Sequence, residues 1–245
     1  MTSPNEPSIL VVDDDTDICR NLTDILSDLG YRVDTAHDGP SALRLLERSH
    51  YDVALLDLKM PGMDGLELYR EIKRRWAGTV ALLVTAYATP ATAAEALAAG
   101  AWKVVNKPVD FAGLMALVDE ALGQPLVLVV DDDRDLCDSL WDLLRERGYR
   151  VGLAHGVEEA AEQIEGAGYR VVLIDLRMPD GGGEELFRRV RAAAPEARTI
   201  LITGHRAELG GVVERVLSEG ADAVCYKPFD VPSLLETLQS LTARG

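Results

Sequence analysis

One pattern occurs twice in this chain, about 118 residues apart, and that repetition limits its possible folds more than any other feature. Val12-Asp13-Asp14-Asp15 returns as Val130-Asp131-Asp132-Asp133, and Leu56-Asp57-Leu58-Lys59-Met60-Pro61 returns as Ile174-Asp175-Leu176-Arg177-Met178-Pro179. Leu83-Val84-Thr85 is matched by Leu201-Ile202-Thr203, and Asn106-Lys107-Pro108 by Tyr226-Lys227-Pro228. Asp13 to Asp57 and Asp131 to Asp175 both span 44 positions, and Asp57 to Thr85 and Asp175 to Thr203 both span 28. Only the interval from threonine to lysine differs, 22 against 24. Gly30-Tyr31-Arg32-Val33 also recurs as Gly148-Tyr149-Arg150-Val151, so the repetition extends to scaffold. This is a tandem duplication of a whole domain, not a solenoid of short repeats. It divides the chain into 1–123 and 124–245. The joint at Gly123-Gln124-Pro125 is too short for a flexible tether, so an intramolecular pseudo-dimer or a homodimer is an admissible assembly.

In each copy short apolar runs alternate with helical patterns. Ile9 to Val12 suits a strand buried on both faces, and Ile18, Leu22, Ile25, Leu26 and Leu29 repeat at helical spacing with Gly30 as the stop. Strands are expected over Tyr31 to Ala36, Val53 to Leu56, Val80 to Val84 and Lys103 to Val105. Helices are expected over Pro40 to Arg48, Leu66 to Arg75, an Ala-rich stretch to Ala99, and Phe111 to Leu122. Five such alternations imply right-handed crossovers and a parallel sheet covered on both faces. The expected architecture is therefore α/β, two doubly wound parallel-sheet domains in tandem.

That architecture gathers the polar residues. Asp13, Asp14, Asp57, Thr85 and Lys107 each stand at the carboxyl end of an expected strand, where open parallel sheets place their sites. Carboxylates ~4 Å apart repel by ~4 kcal/mol per pair at an effective dielectric of ~20. They would raise one another's pKa values unless a cation joined them. A hard divalent ion with oxygen ligands, most simply Mg²⁺, suits carboxylates together with water and a phosphoryl group. Lys107 adds positive charge and Thr85 a hydroxyl, so such a cleft suits in-line phosphoryl transfer to a carboxylate. An Asp triplet before a helix also suits an N-cap, and a threonine at a strand end or a Lys-Pro pair is common without chemistry. Joint occurrence in duplicate is what favours a site.

At these residues both halves resemble the receiver domains of bacterial response regulators, with the flavodoxin-like (βα)5 fold, and the resemblance covers nearly the whole chain. It implies that Asp57 and Asp175 are phosphoacceptors. Asp14 and Asp132 would bind one Mg²⁺ per domain with them, Asp13 and Asp131 would act through water, and the backbone carbonyls of Lys59 and Arg177 would complete the metal site. Thr85 and Thr203 would close on the phosphoryl oxygens and Lys107 and Lys227 would pair with them. The Lys107-Pro108 and Lys227-Pro228 bonds would be cis. The donor would be a histidine kinase or phosphotransfer protein, the readout a downstream protein target, and the chain a phosphoacceptor, not an enzyme with an external substrate.

Composition agrees. The net charge of -16 divides evenly, 11 basic minus 19 acidic residues to Leu122 and 14 minus 22 in the remainder, which disfavours nucleic acid or an anionic membrane as direct partner. No apolar run approaches ~18 to 20 residues, and Met1-Thr2-Ser3-Pro4-Asn5-Glu6 has no signal-peptide regions, so a cytoplasmic location is expected. The three cysteines lack metal or redox spacing; Cys19 and Cys137 occupy matched helical places suited to a small buried hydrophobe, and Cys225 suits strand core. Of the four histidines, His37 and His155 match each other in a loop, His50 is isolated, His205 lies two after Thr203, and no two form a ligand pair.

Two other functions fit less well. The chain could be the regulatory N-terminal part of a longer regulator or hybrid kinase, although no helix-turn-helix, ATP-binding or cyclase pattern follows Lys227. An aspartate-nucleophile phosphatase wants Asp-x-Asp-x-Thr or Val, whereas Asp13-Asp14-Asp15-Thr16-Asp17 places Thr one position early and the second copy has Arg134 there. Two departures from the receiver pattern also stand out. Val104 and Val224 occupy the place of the aromatic that ordinarily moves with the threonine. The positions two after the phosphoacceptor and two after the threonine, which tune phosphoryl lifetime in the family, are Lys59 and Tyr87 in one copy but Arg177 and His205 in the other. The two aspartyl phosphates are therefore expected to decay at unequal rates; equal rates, measured one site at a time in Asp57→Ala and Asp175→Ala proteins, would refute this.

Overall fold

A computed structural model describes residues 6–86, 89–164, 168–179, 182–204 and 210–243, so Tyr87 and His205 lie outside the described residues. The chain divides into two compact units, Met1–Gln124 and Pro125–Gly245.

In unit 1 the order is β1 (Ser8–Val12), α1 (Thr16–Asp28), β2 (Arg32–Ala36), α2 (Gly39–Leu46), β3 (Val53–Asp57), α3 (Gly65–Arg75), β4 (Val80–Thr85), α4 (Pro90–Ala99), β5 (Lys103–Asn106) and α5 (Phe111–Gly123). Unit 2 repeats it as β6 (Leu126–Val130), α6 (Arg134–Arg145), β7 (Arg150–Ala154), α7 (Val157–Ile164), β8 (Val171–Asp175), α8 (Gly183–Ala193), β9 (Arg198–Thr203), α9 (Gly210–Ser218), β10 (Ala223–Tyr226) and α10 (Val231–Thr242). The sheets run β2-β1-β3-β4-β5 and β7-β6-β8-β9-β10, with parallel pairing throughout. These are the two flavodoxin-like α/β domains in tandem that the sequence implied.

Strand alternation separates two cores. Leu10, Val12, Ala54, Leu56, Ala81 and Leu83 point toward α2, α3 and α4, while Ile9, Val11, Val53, Leu55 and Leu82 point toward α1 and α5. Burial on both faces is what turns these strands into nearly continuous apolar runs. On α1 the face against the sheet is narrower than the apolar spacing suggested. Cys19 and Leu26 are buried, Ile18 and Leu22 are half-buried, and Ile25 and Leu29 are exposed. At 3.6 residues per turn, Cys19, Leu22 and Leu26 share one line and Ile25 and Leu29 fall to its flank. Trp102 packs among the α1 and α5 residues, whereas Val104 packs with the opposite core, so the indole is not a stand-in for an aromatic at Val104.

Register aims the polar residues. Val12 pairs with Leu56 and Val130 with Ile174, so the aspartate that follows each of these residues stands beside its partner across the β1/β3 and β6/β8 switch points. Thr85 pairs with Asn106 and Thr203 with Tyr226, which sets each lysine one residue beyond its strand.

The turn back from the acceptor strand depends on a glycine. A Cβ on Gly65 would collide with the carbonyl oxygen of Asp57, and one on Gly183 would lie 2.6 Å from that of Asp175. The obstacle is backbone and cannot rotate aside. Gly65→Ala is expected to destabilise unit 1 by roughly 1–3 kcal/mol, the usual cost of overpacking, visible as a lowered unfolding midpoint, and an unchanged midpoint would contradict the contact.

Candidate functional site

The acidic triplets split into two tasks. Asp15 caps α1, accepting from the backbone N–H groups of Asp17 and Ile18 at 2.9 and 3.2 Å, and Asp133 caps α6 through Leu136 N–H at 3.1 Å. The N-cap reading thus holds for the third aspartate of each run. The first two face the cleft: Asp13 and Asp131 are buried, Asp14 and Asp132 exposed. One carboxylate oxygen from each of Asp13, Asp14 and Asp57 lies within 4.8 Å of the others, and the same holds for Asp131, Asp132 and Asp175.

A lysine bridges the two buried acids in each copy. Lys107 Nζ donates to Asp13 Oδ2 at 2.6 Å and meets Asp57 Oδ1 at 2.7 Å. Lys227 Nζ donates to Asp131 Oδ2 at 2.6 Å and to Asp175 Oδ2 at 2.7 Å. Its backbone is fixed too, since Lys107 N–H donates to the carbonyl of Thr85 at 2.7 Å and Lys227 N–H to that of Thr203 at 2.9 Å. Both threonines are fully buried at their strand ends, and both Lys-Pro bonds are cis. Lys59 N–H donates to Asp57 Oδ2 at 2.8 Å and Arg177 N–H to Asp175 Oδ1 at 2.9 Å, so these two residues reach the acceptor through their backbone. All the expected site residues gather at one edge of each sheet.

Burial dominates the electrostatics. It pushes the Asp57 carboxyl up from its ordinary value, against the hydrogen bond and charge of Lys107. Asp131 moves the same way, burial outweighing the bond from Lys227. For the lysines burial is the largest single influence and lowers the ammonium, yet their two acidic partners together exceed it and the net shift is upward. A pair of buried carboxylates holding one cation still has negative charge to spare. Three converging carboxylates fit a hard divalent cation with oxygen ligands, Mg²⁺ above all. In unit 1 a cleft of about 310 Å³ opens beside this cluster, walled by Ile18, Leu22, Val109 and Leu114.

Four residues that the sequence did not place at the site also touch it, Cys19 and Cys137 being buried as expected. Cys19 and His37 converge on the backbone carbonyl of Asp13, at 3.3 Å from Sγ and 3.2 Å from Nδ1. Cys137 and His155 do the same at Asp131, at 3.4 and 3.3 Å. Burial raises the Cys19 thiol to about 11 and the Cys137 thiol to about 12, so both stay protonated near neutrality. The only signal for them in the sequence was their recurrence at matched positions. Cys225 lies half-buried in β10, in the strand where the sequence put it.

Both halves of the chain match known proteins. Residues 9–119 and again 127–239 match the response regulator receiver domain. A response regulator receiver protein of Anaeromyxobacter sp. (strain Fw109-5) is 34% identical over 232 residues, 95% of this chain and 94% of that protein. The regulatory protein AtoC of Escherichia coli (strain K12) is 39% identical over 122 residues, 50% of this chain but only 26% of its own length. Among solved structures, the response regulator TrrA from Thermotoga maritima, in complex with Mg(2+)-BeF, is 34% identical over 47% of this chain and 98% of its own, with a TM-score of 0.43. The chain belongs to the response regulator receiver family and carries two receiver domains in tandem. Its function is accordingly two-component phosphorelay signalling, in which receiver domains act as phosphoacceptors and meet histidine kinases or phosphotransfer proteins. Among the described residues no helix is long and apolar enough to cross a membrane.

A pH dependence follows from Asp57. Because its folded pKa lies above the unfolded value of 3.8, its favourable contribution is present below that value and is lost as pH rises through the folded pKa. At neutral pH the ionised group therefore costs stability. Asp57→Asn is expected to raise the unfolding midpoint of unit 1 at pH 7, with the gain shrinking as pH falls toward 3.8. A variant less stable than the parent at pH 7 would count against this account.

Proposed function

We propose that both copies are working phosphoacceptors, each taking a phosphoryl group from a histidine kinase or phosphotransfer protein onto the buried aspartate that ends its third strand, Asp57 or Asp175. The observation that supports this most directly is the lysine held between two buried carboxylates beside a third, repeated in both units. In the transfer an oxygen of the aspartate attacks phosphorus as the bond from phosphorus to the donor nitrogen breaks, and the donor ring, protonated on its other nitrogen, takes the electron pair and leaves as neutral imidazole. Asp13, Asp14 and Asp57, and likewise Asp131, Asp132 and Asp175, would hold one Mg²⁺ per domain with the carbonyls of Lys59 and Arg177. The ion would supply positive charge to the phosphoryl oxygens when bound. Lys107 and Lys227, already aimed at the acceptor, neutralise a further oxygen by exchanging one carboxylate partner for the new phosphate. Thr85 and Thr203 supply the hydroxyl that closes on it from the next strand. Little proton chemistry is needed, because catalysis of this kind rests on position and charge.

The readout is a change of surface toward a downstream protein in the cytoplasm, without direct contact to nucleic acid or membrane and without turnover of an external substrate. A second reading, the regulatory part of a longer regulator, is favoured by the AtoC match, which occupies 26% of that protein; the relative matched over 94% of its length favours the two domains acting by themselves.

Phosphoryl incorporation from acetyl phosphate, followed by intact mass, tests the proposal. Labelling at two sites is expected with Mg²⁺ and none without it, one site disappearing in Asp57→Ala and the other in Asp175→Ala. Mg²⁺-independent labelling, or labelling that survives both substitutions together, would overturn the assignment.

A further inference from the structure

The first aspartate of each acidic pair is held at every polar group it possesses. Asp13 N–H donates to the Ala36 carbonyl at 3.2 Å. Its Oδ1 accepts Asp15 N–H at 3.0 Å and its Oδ2 accepts Lys107 at 2.6 Å. Its carbonyl oxygen receives two side chains, Cys19 Sγ at 3.3 Å from α1 and His37 Nδ1 at 3.2 Å from the loop after β2. Asp131 repeats the set: N–H to Ala154 at 3.1 Å, Oδ1 from Asp133 at 3.0 Å, Oδ2 from Lys227 at 2.6 Å, and the carbonyl from Cys137 at 3.4 Å and His155 at 3.3 Å. Both copies of the duplicated domain thus keep one arrangement from the same residue types, although nothing in a parallel sheet demands a cysteine and a histidine there.

A carbonyl oxygen only accepts, so each imidazole that bonds it carries the proton on Nδ1, and each thiol has this carbonyl as its nearer acceptor, Cys19 Sγ reaching the Ala36 carbonyl as well at 3.9 Å. The carbonyl of Asp13 belongs to the peptide plane that joins it to Asp14. Two donors from different elements fix the rotation of that plane. They thereby fix the direction in which the exposed Asp14 leaves the chain.

We propose that Cys19 with His37, and Cys137 with His155, are positioning residues: they lock the peptide after the first aspartate so that the acidic pair is set for a divalent cation before the cation arrives. This rests on the reading of the acidic cluster as a Mg²⁺ site. Supporting groups one step behind metal ligands ordinarily matter for affinity because they remove the freedom the ligands would otherwise lose on binding.

Calorimetric titration of the full chain with Mg²⁺ in an Asp132→Asn background, which silences the second site, tests the first clamp. Cys19→Ala with His37→Leu removes both donors and is expected to weaken binding on the order of tenfold. Cys19→Ser with His37→Asn keeps both, since a serine hydroxyl and the asparagine amide nitrogen occupy the places of Sγ and Nδ1, and most of the affinity is expected to return. Thermal unfolding without Mg²⁺ accompanies each titration. His37→Leu by itself, at an exposed residue, provides a variant whose folding is not at stake and is expected to lose part of the affinity. Affinity unchanged in the non-donor variants overturns the proposal, as does equal loss in donor and non-donor pairs, which would make the residues mere packing. Failure of the background protein to bind Mg²⁺ at all would instead overturn the metal-site reading, and the clamp's role with it. The mirrored set, Cys137 and His155 variants in Asp14→Asn, is expected to behave alike.

Discussion

Each domain depends on one lysine keeping two buried carboxylates together at the edge of a parallel sheet. Asp13 and Asp57 are almost entirely sheltered from water, and two such charges ~4 Å apart would repel by ~4 kcal/mol at an effective dielectric of ~20. Lys107, within 2.7 Å of both, turns that repulsion into a bridged triad. The exposed ion pairs elsewhere, such as Arg70 with Glu95 or Arg74 with Glu71, contribute little by comparison, because water screens them and long side chains lose entropy in making them. The buried triad is different in kind: removing the lysine would leave two buried carboxylates that neither water nor protein satisfies.

Everything around the triad serves to deliver it. β1 and β3 lie side by side because the chain reverses direction across the sheet between them, and their register brings Asp13 level with Asp57. Gly65 lets α3 begin against the carbonyl of Asp57, and the N–H of Lys59 turns back onto its carboxylate. The carbonyl of Thr85 anchors the lysine's own backbone. The duplicated domain repeats each of these contacts with other neighbours, which separates what the cleft requires from what it tolerates. It tolerates Lys59 against Arg177 and Ser41 against Glu159, whose carboxylate accepts the His155 N–H. It also tolerates Arg70–Glu95 between α3 and α4 against Arg215–Glu184 between α8 and α9 and Arg188–Glu219 from α8 to the turn after α9.

Much of this was legible in the residues because the pattern was local and printed twice. Strands such as Leu10 to Val12 and Ala54 to Leu56 are unmistakable as apolar runs, since both faces are covered. The acids, threonines and lysines stand out by being polar at the ends of such runs. Less legible was the split within each Asp triplet, where Asp15 and Asp133 serve the helix and their two predecessors the cleft, because cap and ligand want the same side chain. The exposure of Ile25 and Leu29 escaped the periodic reading, as helical spacing tells which residues neighbour each other but not how wide a stripe the sheet covers. Trp102, near enough in sequence to stand in for the missing aromatic at Val104, faces the other core, and alternation about a strand end is too short a signal to say so.

By itself the sequence determined the duplication, the order of strands and helices and the identity of the acid, hydroxyl and ammonium groups, because these follow from local periodicity and from residue type at fixed spacing. Only the tertiary structure decided which oxygen meets which hydrogen. That Lys107, 94 positions from Asp13, lies 2.6 Å from its carboxylate depends on the neighbouring strands being packed in register. That Cys19 and His37 share one carbonyl depends on a helix and a loop closing over the same strand end. Contacts of this kind are set by how elements pack to within a fraction of an ångström, and no residue announces them along the chain.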